Sequence, residues 1–221
     1  MKRNLLPFAA LAFLFIASCN SEEEAKPTIP ASKDKVAVIQ HPIADYAKWR
    51  PIFDSDDSAR KSFGISTIAV GRGIDDPNNI VMYFKIEDTA RANACMMRPG
   101  LQTIMDSAGV TGQPTLEYVN TVRNDTAKTD IKDRILIKHK VKDFDAWLKV
   151  FDREGMEKRS SFGLVDRAIA RAMDDPNMVY IVFAVSDWDK AGARMSSEEL
   201  KSILTEAGVE GPPVVFKYKL Q

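Results

Sequence analysis

Cysteine and histidine are both scarce here: the 221 residues hold two of each, Cys19, Cys95, His41 and His139. Two cysteines cannot build a disulfide-stapled scaffold. One histidine per half of the chain, with no His/Cys/Glu cluster beside it, does not make a metal centre. An excess of one charge is missing too. The 31 basic residues match 31 acidic ones, and a nucleic-acid binder normally shows a basic surplus. The apolar stretch Leu5–Ile16, interrupted by Pro7, is shorter than the about 20 residues that cross a bilayer core. No phosphate loop, GxGxxG, CxxC, HExxH or GxSxG is present, so no cofactor is called for. What is present is a hydrophobic fraction of 45%, too high for a disordered chain and enough to bury a core.

Residues 1–18 read as a signal segment. Lys2 and Arg3 precede the apolar stretch, and the small residues Ala17 and Ser18 follow it. The run Ile16-Ala17-Ser18-Cys19 resembles the lipobox of bacterial lipoproteins. That resemblance implies cleavage before Cys19, lipidation of its thiol and new amino group, and membrane attachment through acyl chains. By the sorting rule of such lipoproteins, Asn20 in place of Asp implies the outer membrane, facing the periplasm or the surface. Ser21-Glu22-Glu23-Glu24 resembles a surface-export tag, although charge blocks are also ordinary solvated tethers. Residues 19–34 read as a flexible stalk. Cleavage removes Lys2 and Arg3 and leaves a mildly acidic chain of 29 basic against 31 acidic residues.

The rest of the chain is written twice. HPIADYAKWRPIFD from His41 matches HKVKDFDAWLKVFD from His139. After one inserted residue, Arg60–Gly64 matches Arg159–Gly163, Asp75–Asn78 matches Asp174–Asn177, and Ala108–Pro114 matches Ala207–Pro213. Four blocks in one order define two copies, 36–120 and 134–219, with a polar linker at 121–133. Copies of this length are domains, not solenoid repeats.

Each copy reads the same way. A Val/Ile-rich strand comes first. A helix capped by Asp45 or Asp143 follows, with Tyr46, Trp49, Ile52 and Phe53, or Phe144, Trp147, Leu148 and Phe151, on one face. Gly64 and Gly163 stop these helices. Two strands then flank the DDPN turn. A second helix is capped by Asp88 or Asp187. Pro99-Gly100 breaks it in the first copy, whereas the second copy is expected to run on. A final strand covers Thr115–Val119 or Val214–Tyr218. This βαββαβ order is the ferredoxin-like α+β unit.

The element order, the copy length and the duplication resemble the dimeric α+β barrel superfamily, which includes the antibiotic-biosynthesis monooxygenases. The resemblance implies two ferredoxin-like repeats packed sheet to sheet, here as an intramolecular pseudo-dimer and hence a monomer. One face of a four-stranded sheet is covered by its helices and the other needs a partner; the second copy supplies it.

The candidate site residues come in pairs. His41 and His139 end the first strand of each copy and could form a paired site near the pseudo-twofold axis, as base, metal ligand or haem ligand, or simply bond to backbone. Trp49 and Trp147 could stack a ligand, but their helix face favours the core. Arg72 and Arg171 could take an anion or hold the turn. The Asp75, Asp76, Asp174 and Asp175 carboxylates are turn formers, and Cys95 is a half-buried free thiol. The expected function is a lipid-anchored module binding a small apolar molecule or a protein, with a cofactor-independent monooxygenase and a haem or metal binder as alternatives.

Overall fold

The computed structural model describes residues 28–221. The signal segment, Cys19 and the chain up to residue 27 lie outside them. The first half runs β1 (Lys35–Pro42), α1 (Tyr46–Ser55), α2 (Asp57–Ser62), β2 (Ile65–Gly73), β3 (Asn79–Ile86), α3 (Thr89–Met96), α4 (Leu101–Ala108) and β4 (Thr115–Asn124). The second half repeats it as β5 (Asp133–Val141), α5 (Phe144–Glu154), α6 (Met156–Ser161), β6 (Leu164–Ala172), β7 (Met178–Val185), α7 (Trp188–Met195), α8 (Glu198–Glu206) and β8 (Val209–Leu220). Among the described residues no helix is long and apolar enough to cross a membrane.

The caps form as the sequence implies. Asp45 accepts from the Ala47 and Lys48 amides, Asp143 from Ala146, Asp88 from Arg91 and Asp187 from Lys190. Each satisfies amides that a helix start leaves open. Gly64 and Gly163 take φ of 72° and 75°, which a side chain resists. The second helix of the second copy does not run on. Ser197 accepts from the Leu200 amide and starts α8 afresh, a polar cap doing what Pro99-Gly100 does in the first copy. The inserted residue falls at the joint between α5 and α6, where Gly155 replaces the Asp56 joint of the first half.

Each half forms an antiparallel sheet, ordered β4-β1-β3-β2 and β8-β5-β7-β6, and the eight strands close into one barrel through the seams β2–β8 and β4–β6. The seams explain why the outer strands exceed their sequence patterns. β4 continues to Asn124 because Val119–Asn124 pairs with β6, and only 125–132 is left as a connection between strands. The shorter seam pairs Gly71 with Leu220, Arg72 with Lys219 and Gly73 with Tyr218. Gly71 is required there: a Cβ would lie 2.1 Å from the Tyr218 ring.

The last part of the expected stalk is also structured. Ser32 N donates to Val122 O and Asn124 N donates to Pro30 O, both at 2.8 Å, and Ile29 is buried in the second half's core. One apolar side chain and a run of unpaired β4 backbone suffice to dock this strap.

Strand alternation sorts side chains into three clusters. Ala37, Ile39, Ile80 and Trp49 pack between the first half's sheet and helices, and Ile135, Ile181, Phe183 and Trp147 do the same in the second half. Val36, Val38, Val81, Leu136, Tyr180 and Tyr218 fill the barrel lumen.

Candidate functional site: two sheet–helix cavities

His41 and His139 lie on the helix side of their strands, in register with Ala37 and Ile39 or with Ile135 and Ile137. They line separate cavities and do not form a joint site across the pseudo-twofold axis. The alternation of β1 and β5 assigns their face correctly, but that face meets helices instead of the opposite sheet.

Around each histidine the paired candidates come together as a stack. Arg72 lies over Tyr46 at 4.4 Å and its Nε donates to Pro77 O at 3.0 Å, so it serves the turn and the helix start together. Tyr46 meets Trp49 at 5.6 Å, Trp49 stacks on Phe53 at 4.6 Å, and His41 meets Trp49 edge-on at 6.2 Å. The second half repeats the ladder: Arg171 over Phe144 at 4.8 Å, Phe144 on Trp147 at 5.6 Å, Trp147 on Phe151 at 5.2 Å, and His139 edge-on to Trp147 at 5.7 Å. Trp49 and Trp147 are both 2% exposed, so each works as a core wall that also lines a cavity. Asp76 and Asp175 accept from the Asn78 and Asn177 amides, as turn formers do.

Each ladder ends on an ionic triad that sequence reading misses. In the first half Asp56 joins Arg60 (3.4 Å) and Arg98 (2.6 Å). In the second, Glu154 joins Arg159 (3.7 Å) and Arg194, and Asp166 adds a two-pronged pair to Arg159 at 2.8 and 2.6 Å. Arg60 and Arg159 sit in a matched block and were visible as a repeat. Their carboxylates, Asp56 and Glu154, were not: they correspond in the register of the first helices but fall at the inserted residue, outside every matched block. Arg98 and Arg194 do not align either; the Arg194 position is Cys95 in the first copy. Arg98 donates to the Cys95 sulfur at 2.8 Å, and Cys95 is fully buried instead of half-buried. Burial raises the thiol pKa, with Arg98 opposing it, which leaves an unreactive thiol.

The cavities differ. The first half's is about 100 Å³ and is narrowed by Met82, Met96 and Met105; the second half's is about 250 Å³, lined by Trp147, Val150, Phe151, Leu200, Ile203 and Val215 among others. Glu154, Arg159 and Arg194 line the second cavity as an ion-paired group, and His139 is its unpaired polar residue. Its Nε2 is buried without a hydrogen-bond partner, and burial lowers its pKa to about 4. His41 is lowered in the same direction by burial, while its Nδ1 lies 3.3 Å from Pro42 O. Among the described residues no group of three or more His, Cys, Asp or Glu could hold a metal ion.

Comparison with known proteins agrees with this geometry. No family model and no curated protein matches the chain. Solved structures do. An anthrone oxidase-like protein superposes with a TM-score of 0.58 at 11% identity, covering 88% of this chain and 94% of its own. A protein of Lactobacillus acidophilus NCFM assigned as a monooxygenase gives 0.54 at 14%, covering 86% and 94%. A protein assigned as a chlorite dismutase gives 0.52 at 11%, covering 86% and 95%. At these identities the likeness is one of fold. The chain has the fold of the dimeric α+β barrels, built here within one chain from two copies of a ferredoxin-like module.

Proposed function

We propose that this protein is a lipid-anchored binding module that holds one small, mostly apolar molecule in the second half's cavity. The observation that carries the reading is His139 Nε2, a polar atom unpartnered among the described residues, in a cavity of about 250 Å³ whose other polar groups, Glu154, Arg159 and Arg194, are already paired with one another. Buried polar atoms are normally satisfied, and a mostly apolar pocket with a few placed polar groups is the usual design of a small-molecule site. The bound molecule therefore carries a hydroxyl or similar group placed for that nitrogen.

Binding is favoured over catalysis by the same histidine. A general base works best with a pKa near the working pH, and a value of about 4 makes His139 a poor one. Haem fits badly. His41 and His139 face different cavities and cannot ligate one iron from both sides, and the sheet–helix cavity of His139, at about 250 Å³, suits a molecule smaller than a porphyrin.

The anchor rests on Lys2, Arg3, the apolar stretch and Cys19, with the outer membrane as the expected site. Replacing Cys19→Ala tests it: the full chain should leave the membrane fraction, and retention there would refute lipidation. For the cavity, 1-naphthol and naphthalene are suitable probes. The full chain should bind 1-naphthol about tenfold more tightly, as one hydrogen bond allows. In His139→Leu that difference should vanish. A difference that survives the substitution, or no binding of either probe, would overturn the proposal.

A further inference from the structure

The barrel lumen holds a third cavity, on the opposite strand face from His139. Arg134 and Leu136 point into it while Ile135 and Ile137 face the helices. It measures about 200 Å³ and lies where β5 begins and β8 ends, with Val36, Val38, Leu136, Tyr83, Tyr218 and Arg134 in its wall.

Four arginines of the described chain are buried: Arg60, Arg134, Arg159 and Arg194. Arg60, Arg159 and Arg194 each have a carboxylate partner. Arg134, 5% exposed, has none among the described residues. Its Nη1 donates to the carbonyl oxygens of Ile131 and Asp133, and its Nε and Nη2 meet no acceptor among the described residues. A buried charge without a counter-charge is costly and is rarely left so. The other lumen ions are matched, Arg167 with Asp125 at 2.7 Å and Lys138 with Glu117 at 2.9 Å. One positive charge is left over. A second polar group waits beside it: Tyr83 Oη is buried next to the Tyr218 phenol, with no well-formed hydrogen bond among the described residues. Burial raises the pKa of both phenols, that of Tyr218 to about 12, so both stay neutral and able to donate. The mouth is open at Ile68, which is 53% exposed.

We propose that this lumen cavity binds a small organic carboxylate, its oxygens on the Arg134 guanidinium and the Tyr83 hydroxyl and its aliphatic or aryl body against Val36, Val38 and Leu136. A guanidinium fork matches a carboxylate in two parallel hydrogen bonds. The apolar wall selects an organic anion over an inorganic one.

Calorimetric titration of the full chain with hexanoate, hexanamide and inorganic phosphate tests this. Hexanoate should bind, with hexanamide and phosphate about tenfold or more weaker. Arg134→Met should weaken hexanoate by about tenfold or more and Tyr83→Phe by several-fold, whereas His139→Leu should leave it unchanged. If Arg134→Met does not fold, Arg134→Lys carries the test, since it keeps the charge, loses the fork and should bind several-fold more weakly. The proposal is overturned by equal affinity for hexanoate and hexanamide, by phosphate binding as tightly as hexanoate, by hexanoate binding that ignores the Arg134 substitutions, or by no hexanoate binding at about 10 mM, well above the Kd range of specific small-ligand sites.

Discussion

Substituting His139→Leu should change how stability depends on pH. The imidazole is 5% exposed, its Nε2 has no partner, and burial lowers its pKa from 6.5 to about 4. The unfolded chain therefore takes up a proton at this residue before the folded chain does. Stability from the neutral imidazole is fully present above pH 6.5 and is lost as pH falls toward 4. Linkage gives about 2 kcal/mol lost at this one residue between about pH 7.5 and pH 5, and about 3 kcal/mol once both states are protonated. Carboxylates and His41 also titrate, but they are common to both proteins and cancel in the difference. At about pH 7.5, His139→Leu should be equal to wild type or more stable by about 1 kcal/mol, because it removes an unpaired buried polar atom. At about pH 5 its advantage should grow by about 2 kcal/mol. Urea unfolding at both pH values measures this directly. Parallel pH profiles for the two proteins would refute the claim that His139 is held neutral in an apolar cavity, and the proposed ligand contact would go with it.

Three further outcomes follow from the packing. Gly71→Ala should cost about 1–3 kcal/mol by forcing a Cβ into the Tyr218 ring at the short seam; a loss under about 0.5 kcal/mol in chemical denaturation would show that the seam gives way freely. Arg159→Met should cost about 3–5 kcal/mol, because Asp166, 4% exposed, loses its partner. Arg60→Met should cost less, since Thr67 holds the matching position, and equal losses in urea unfolding would contradict the assignment. Asp143→Ala should cost about 1 kcal/mol through the open Ala146 amide, measured the same way.

Most of each module was legible because the signals were local. Four Asp caps, two Gly stops and two DDPN turns act within a few residues, and duplication repeated each of them. Long-range consequences were not legible. The extension of β4 to Asn124 depends on β6, and the docking of Ile29 depends on the second half's core. The candidate site divided in the same way. His41 with Trp49, and His139 with Trp147, line each cavity, whereas Arg72 and Arg171 sit over Tyr46 and Phe144 at the outer end of the stack. The side on which they gather was hidden, because alternation says which residues share a face and not what covers it. The triads were hidden because Asp56 and Glu154 lie at the inserted residue, outside the matched blocks, and because Arg98 and Arg194 do not correspond; Arg134 was hidden because a charge next to Ile135 reads as solvent-facing until the barrel closes over it.

The most direct test of the central claim is a crystal structure of the protein soaked with 1-naphthol. The ring system should lie between the second half's sheet and helices, against Trp147 and Phe151, with its hydroxyl within hydrogen-bond distance of His139 Nε2. Naphthol bound only elsewhere, or in that cavity with its hydroxyl turned away from His139, would contradict that claim.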